Sequence, residues 1–288
     1  MDTSVVTNPI SGFHPDFLQS LPAADYHSHP AIGHSSLVRI MRSPAHYQDY
    51  ATYPPEPTVA MKLGTAFHTA LLEWELFGKT FVVAPKFDRR TKAGKAQALA
   101  WETGHTGKII LTPDQMEAIG KMVLAVREHK GARRLLGDGL AETSGFWRDE
   151  RTGIECKMRP DFLAAEGETI AGIVDIKTCV DASADGFSRA IATQGYDVQA
   201  AFYQDGMKTL SGETVPFYFI AIEKEAPYAL AVYRASQAML EIGREKYRAA
   251  LELLSWCRRN NFWPSYQPGG EIETIDLPRW AANFSLDG

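Results

Sequence analysis

The sequence predicts an α/β protein with a central mixed β-sheet flanked by helices, and three observations carry that expectation. Two segments, "VAMKLGTAFHTALLEWELFG" (59–78) and "LTPDQMEAIGKMVLAVREH" (111–129), repeat apolar residues at helical spacing. Between 142 and 179 the chain changes to short apolar runs punctuated by "ERTG" and "AEGE", the pattern of a strand meander. A helical stretch (187–210), a strand pair (215–236) and a long closing helix (237–260) follow, so helices and strands alternate around what reads as one sheet.

Taken in order, residues 1–30 are rich in Pro, His, Ser and Asp without periodicity, and read as irregular. "SSLVRIMRSPAHYQDY" (35–50) opens on a Ser N-cap candidate, spaces Leu37, Ile40 and Met41 helically, and offers Pro44 as the start of a second short helix. "YPPEPT" (53–58) is a breaker. In 59–78, Leu63, Phe67, Leu71 and Trp74 or Glu75 follow helical spacing, His68 sits in the middle, and Gly78 is the expected stop. "PKFDRRTKAGKA" (85–96) is basic, poor in apolar residues and reads as a mobile loop. The helix at 111–129 has Thr112 as N-cap, Pro113 at its first position and a stripe of Met116, Ile119, Val123 and Val126. Strands are expected at 142–150, 154–167 and 169–179, a break near Gly195 in the next helical stretch, and a turn at "EKEAPY" between the last two strands.

A chain of 288 residues that is 45% hydrophobic can bury a proper core. No apolar run reaches the ~18 residues of a membrane-spanning helix, and "MDTSVVTNPISGFHPDF" lacks the basic start and apolar stretch of a signal peptide, so the expectation is a cytoplasmic protein with no membrane partner. Cys156, Cys179 and Cys257 are odd in number and far apart, which supports neither disulfides nor a zinc or iron–sulfur site. A net charge of −5 argues against coating nucleic acid by bulk positive charge, but leaves room for a local basic patch beside acidic metal ligands.

The chemistry starts at "IVDIKTCVD" (173–181), where Asp175 and Lys177 stand two apart and so share a strand face. Alone, such a pair is an ion pair at a strand end. The preceding strand brings "KMRPDF", and antiparallel pairing across the turn at 165–169 lets Asp161 approach Asp175, although the sequence does not fix that register to the residue. Two neighbouring carboxylates repel unless a cation lies between them, and their oxygens suit Mg²⁺ or Mn²⁺. Lys177 would stand close to a water on that ion, placed to orient it, to help deprotonate it and to offset charge on an attacked phosphate.

"RPD" (159–161) with "DIK" (175–177) resembles the signature of the PD-(D/E)xK nucleases. Three further stretches resemble the RecB-like branch: "GTAFHTALLE" (64–73), with His68 in the place of a metal-ligating histidine; "AETSGFW" (141–147), with Glu142 as an extra acid at a strand start; and "YDVQAAFYQDG" (196–206), with Gln199 and Tyr203 on one helical face. With "SPAHY" (43–47), "DRRTKAGK" (88–95) and "FWPSY" (262–266), the order over about 25–265 resembles the exodeoxyribonuclease VIII, or RecE-type, family of recombination exonucleases.

The resemblance implies a PD-(D/E)xK nuclease core at 59–266, an N-terminal region (1–58) packed on it and a tail at 267–288. It implies Mg²⁺-dependent 5′→3′ digestion of one strand from double-stranded DNA ends, a ring-shaped homo-oligomer with a tetramer favoured, and a single-strand annealing protein as partner. His68, Asp161, Asp175, the Ile176 carbonyl and Glu142 become the metal set; Lys177, with Asp175, Asp161, Glu142, Gln199 and Tyr203, becomes the catalytic set. Arg89, Arg90, Lys92, Lys95 and Arg159 become candidates for contacts to DNA. Two other accounts stay open: a non-catalytic module that binds DNA ends, and a structure-dependent or sequence-specific endonuclease on the same core.

Overall fold

The computed structural model describes residues 17–18 and 21–278; what the sequence predicts for 1–16, 19–20 and 279–288 lies outside the described residues. A two-residue strand, β1 (Phe17–Leu18), and a short helix, α1 (Ala23–Ser28), come first, which corrects the irregular reading of this region. Helices α2 (His34–Arg42) and α3 (Pro44–Thr52) meet at Ser43, whose hydroxyl accepts from the His46 amide while Pro44 occupies the first helical position. The helix expected over 59–78 is two: α4 (Val59–Leu72) ends at Glu73, α5 (Trp74–Thr80) follows, and Gly78 lies inside α5 rather than stopping it.

Next come β2 (Phe81–Val83), α6 (Lys92–Gly104), β3 (Ile109–Leu111), α7 (Pro113–Glu128) and α8 (Lys130–Leu135). Helix α6 overturns the loop reading for 92–96, while 85–91 stay outside helix and strand: the Thr91 hydroxyl caps the helix by accepting from Gly94, and "KAGKAQALAWETG" is rich enough in alanine to continue. Helix α7 keeps its predicted start, with a reciprocal cap between Thr112 and Gln115.

Strands β4 (Gly139–Ala141), β5 (Ser144–Arg148), β6 (Glu155–Met158), β7 (Phe162–Glu166) and β8 (Thr169–Cys179) replace the three-strand meander. Pro160 cannot donate to a ladder, and the strand expected over 154–167 divides around it into two strands that belong to different sheets. The single-sheet expectation is corrected in the same way. Strands β1, β5 and β6 form one small sheet and β2 and β3 a parallel pair. The main sheet has the order β10-β9-β8-β7-β4, completed by β9 (Phe217–Glu223) and β10 (Leu230–Arg234). Only β8 and β9 run parallel in it, so the sheet is mixed. Between β8 and β9 lie α9 (Ala184–Gln194) and α10 (Tyr196–Ser211), joined by left-handed Gly195, and α11 (Gln237–Asn260) closes the described fold.

Both faces of the main sheet are covered, so its inner strands carry apolar residues on both. Ile173, Phe217, Phe219 and Ala221 pack with α2, α10 and α11; Val174, Ile176, Ile220 and Ile222 pack with α4 and α7. Alternation therefore puts Asp175 and Lys177 on the face of Ile173, under α10. Among the described residues no helix is long and apolar enough to cross a membrane.

Candidate active site

Register places the first carboxylates. In the antiparallel pair β7–β8, Phe162 lies opposite Val174, so Asp161, one residue before the ladder begins, arrives beside Asp175 and Ile176. The Ile176 amide donates to Asp161 Oδ2 at 2.6 Å. Across the strand, β4 pairs with β7 up to Ala141↔Phe162, and the next residue, Glu142, donates its amide to the Asp161 carbonyl at 3.0 Å. Glu142 then takes a left-handed conformation (φ 49°), a strain of about 1–2 kcal/mol for a residue with a Cβ. It follows β4 instead of starting the next strand, as its sequence context suggests. His68, near the middle of α4, brings Nδ1 to 3.2 Å from Asp161 Oδ1.

The result is a cluster in which one ligand atom each from His68, Glu142 and Asp161 lie within 4.8 Å of one another. Ligand atoms around an octahedral ion with bonds of about 2.1 Å stand about 3–4.2 Å apart, so a small contraction would close this set on one divalent cation. Two carboxylates and an imidazole are donors that such ions accept. Asp175 lies behind, 2% exposed: Lys177 Nζ is 2.5 Å from its Oδ2, and Gln199 Nε2 donates to its Oδ1 at 2.7 Å. Lys177 also lies over the Tyr196 ring, 4.7 Å from the centroid.

Electrostatics reflect that crowding. Burial, reinforced by the charge of Asp161, pushes Glu142 up to about 7 against the pull of Arg159. Burial and Asp161 push Asp175 up to about 6 despite Lys177. Burial would raise Asp161 too, but His68, Lys177 and the Ile176 amide outweigh it and its carboxyl is held low. Burial would lower His68 and Lys177; the facing carboxylates reverse both, so Lys177 is held as a cation.

A cleft of about 1780 Å³ opens over these groups, lined by His68, Glu142, Asp161, Lys177, Gln199 and Tyr203 among others. Tyr203, 5% exposed, contributes through its hydroxyl, which meets Tyr26 and the backbone of Arg159. Arg159 is also here, but committed: Nε donates to Glu142 Oε2 at 2.7 Å, and Nη1 to Leu21 O at 2.9 Å and Ser144 Oγ at 3.3 Å. The basic segment lies away from the cleft lining: Arg89 pairs with Glu102, Arg90 with Asp88, and Lys92 and Lys95 stand in the first turn of α6.

Sequence reasoning missed one wall of this cleft. Lys157 Nζ donates to the carbonyls of Tyr26 (2.6 Å) and His29 (2.8 Å), so its charge closes the C-terminal end of α1, where helix carbonyls lack partners. His34, pushed down to about 4 by burial and Lys177, donates Nε2 to the Gly195 carbonyl at 2.9 Å and steadies the α9–α10 joint beside Tyr196. The dense "DYHSHP" (25–30) is the one local signal for that wall.

A sheet whose paired strands bring the acid of "RPD" and the lysine of "DIK" to one cleft, with the "DIK" acid Asp175 buried directly behind the lysine and outside the His68–Glu142–Asp161 cluster, defines the PD-(D/E)xK nuclease superfamily. Within it, the chain belongs to the family described as a PDDEXK-like domain of unknown function (DUF3799), whose profile matches residues 33–278. Among solved structures, a "putative exonuclease" from Eubacterium rectale superposes with a TM-score of 0.58 at 11% identity, covering 91% of this chain and 98% of that one, a likeness of fold. The structure of SSO0001 aligns over 65% of this chain and 86% of that one at 14% identity and a TM-score of 0.27. No curated protein matches the sequence.

Proposed function

We propose that the chain is a divalent-cation-dependent exodeoxyribonuclease that shortens one strand of linear duplex DNA from its 5′ ends and leaves 3′ overhangs for strand annealing. The observation that carries the reading is the convergence of His68, Glu142 and Asp161 on one point of a cleft also lined by Lys177, which Asp175 holds from beneath. Glu142 and Asp175 are costly there as carboxylates and are pushed toward the protonated form.

Mg²⁺ is the proposed ion, with Mn²⁺ able to substitute because the set includes an imidazole. When bound, the ion would polarise a phosphate oxygen and acidify a water. The chain's own residues do the rest. His68, Asp161 and Glu142 hold the ion, and Arg159 orients Glu142 through its Nε bond. Lys177, kept charged by Asp175, faces the cleft and stabilises negative charge growing on the scissile phosphate. Gln199 holds Asp175 through its Nε2 bond, which keeps Lys177 in place. Proton removal by Lys177, part of the sequence-based expectation, fits poorly with an ammonium raised above its ordinary value, so its role here is electrostatic.

The 5′→3′ polarity, a ring-shaped homo-oligomer, a tetramer by preference, and a single-strand annealing protein as partner rest on the resemblance to the RecE-type exonucleases. So do phosphate contacts from Arg89, Arg90, Lys92 and Lys95, which would grip duplex outside the cleft.

The test is digestion of end-labelled linear duplex beside a covalently closed circle, with Mg²⁺ or EDTA. Metal-dependent loss of the 5′ label as mononucleotides from the linear substrate, with the circle intact and an Asp161→Ala variant inert, is the expected result. Cutting of the circle would assign an endonuclease instead, and binding without cutting an end-binding module.

A further inference from the structure

Trp74 begins α5 at the rim of the cleft and is 61% exposed, an unusual position for the largest apolar side chain. It is held by a stack. Its ring lies against Phe77 with centroids 5.4 Å apart and planes within 8°, and Phe77 lies against Phe81 at 5.0 Å and 21°. Phe77 and Phe81 are 6% and 4% exposed and belong to the core under α4 and α7. The three rings therefore form a column rooted in the core that ends in an indole open to the cleft. A flat ring held by a rigid support is ready for another flat ring, because little ordering remains when it arrives.

The neighbours select what that ring is. Glu73 and Glu75 flank Trp74 in the chain, and all three line the same cleft as His68 and Lys177. Carboxylates beside the indole repel a phosphate but accept hydrogen bonds from the amino and ring N–H groups of a nucleobase. Lys79, five residues further along α5 and also in the lining, offers that cleft a cation for a sugar–phosphate backbone.

We infer that Trp74 is a stacking platform for one unpaired nucleobase of the strand entering the cleft. The inference rests on the nuclease reading above and adds to it a binding residue for single-stranded nucleic acid next to the cutting site. A base freed from its duplex at an end would lose its stacking partner, and the column replaces it.

The experiment measures binding of a labelled duplex with a short single-stranded end, in Ca²⁺ in place of Mg²⁺. A series of oligonucleotides places one abasic position at each site along the strand in turn. For the unaltered protein, one position should weaken binding about 5- to 150-fold, the worth of one stacked base. Trp74→Ala should bind the intact strand weaker by a similar factor and lose sensitivity to that position alone, while Trp74→Phe should recover part of both. Equal binding by Trp74→Ala, or weaker binding with the abasic pattern unchanged, would overturn the platform and leave the nuclease reading standing. Absence of nucleic-acid binding by the unaltered protein would overturn both. The exposed position keeps Trp74→Ala foldable, and an unchanged melting temperature checks it.

Discussion

At the scale of single residues, the site is built from groups that are each unfavourable alone. Lys177 and Asp175 face a sheet surface otherwise occupied by Ile173 and the aromatic residues of β9, and each makes the other tolerable. Lys177→Met should lower the cleavage rate about 100- to 1,000-fold, the usual worth of one preorganised charge on a reacting oxygen, and keep the cation, while leaving Asp175 buried without its partner lowers stability. Single-turnover digestion together with calorimetric Mn²⁺ titration separates the two effects, and a fully active variant would remove Lys177 from the mechanism. A second buried acid, Asp149, has a structural role. Burial would raise it, but Thr152 and the Arg248 guanidinium outweigh burial and hold it below the usual carboxylate value. A depressed folded-state value stabilises the fold above the unfolded-state pKa, near 4, and that contribution disappears as pH falls through the folded-state value. Asp149→Asn should therefore cost about 2 kcal/mol at pH 7, and urea midpoints of the two proteins should converge as pH drops from 5 to about 2.

At the scale of elements, α10 decides where Gln199, Tyr203 and Tyr196 stand, and two glycines let it sit so deep. A Cβ on Gly206 would meet the Trp147 ring at 2.6 Å, and one on Gly243 of α11 would meet the Asp197 carbonyl oxygen at 2.1 Å. Gly243→Ala should destabilise the protein by about 3 kcal/mol, because the obstacle is backbone rather than a side chain that can turn aside. Gly120→Ala, in the exposed interior of α7 with nothing within 4 Å of the added methyl, should instead stabilise by about 0.5–1 kcal/mol. Chemical denaturation of the pair gives opposite signs if the packing of α10 is what matters. Helix α7 was legible in the sequence because the Thr112 cap, Pro113 at the first position and the apolar stripe agree. Helix α6 was not, because its glycines and lysines mask an alanine-rich run whose cap is Thr91. The pairing of Asp175 with Lys177 followed from strand periodicity alone. The left-handed turn at Glu142, the split of β6 from β7 at Pro160 and the closing of α1 by Lys157 depend on contacts between distant segments, which no local pattern encodes.

At the scale of the whole molecule, the candidate cation site joins parts that the rest of the fold holds separately. His68 comes from α4, packed on one face of the main sheet; Asp161 stands where the chain passes from the small sheet into the main one; Glu142 follows the edge strand β4. Without a cation these residues are connected through the His68–Asp161 imidazole–carboxylate contact and the bond from the Glu142 amide to the Asp161 carbonyl, while the Glu142 side chain is pushed toward neutrality. A ligand that binds only the folded arrangement adds stability in proportion to the logarithm of its concentration over its Kd, about 2.7 kcal/mol at a hundredfold excess. For a chain of this size that corresponds to a rise of about 5 °C in melting temperature. Mn²⁺ or Mg²⁺ should therefore raise the melting temperature of the unaltered protein, and EDTA should return it to the starting value. In Asp161→Asn the acid between the other two ligands is gone, so the response to metal should vanish even if the variant's own melting temperature changes little. A metal response that survives in Asp161→Asn would place the stabilising ion elsewhere in the molecule and detach the His68–Glu142–Asp161 cluster from the proposed chemistry, whatever the activity of the protein on DNA.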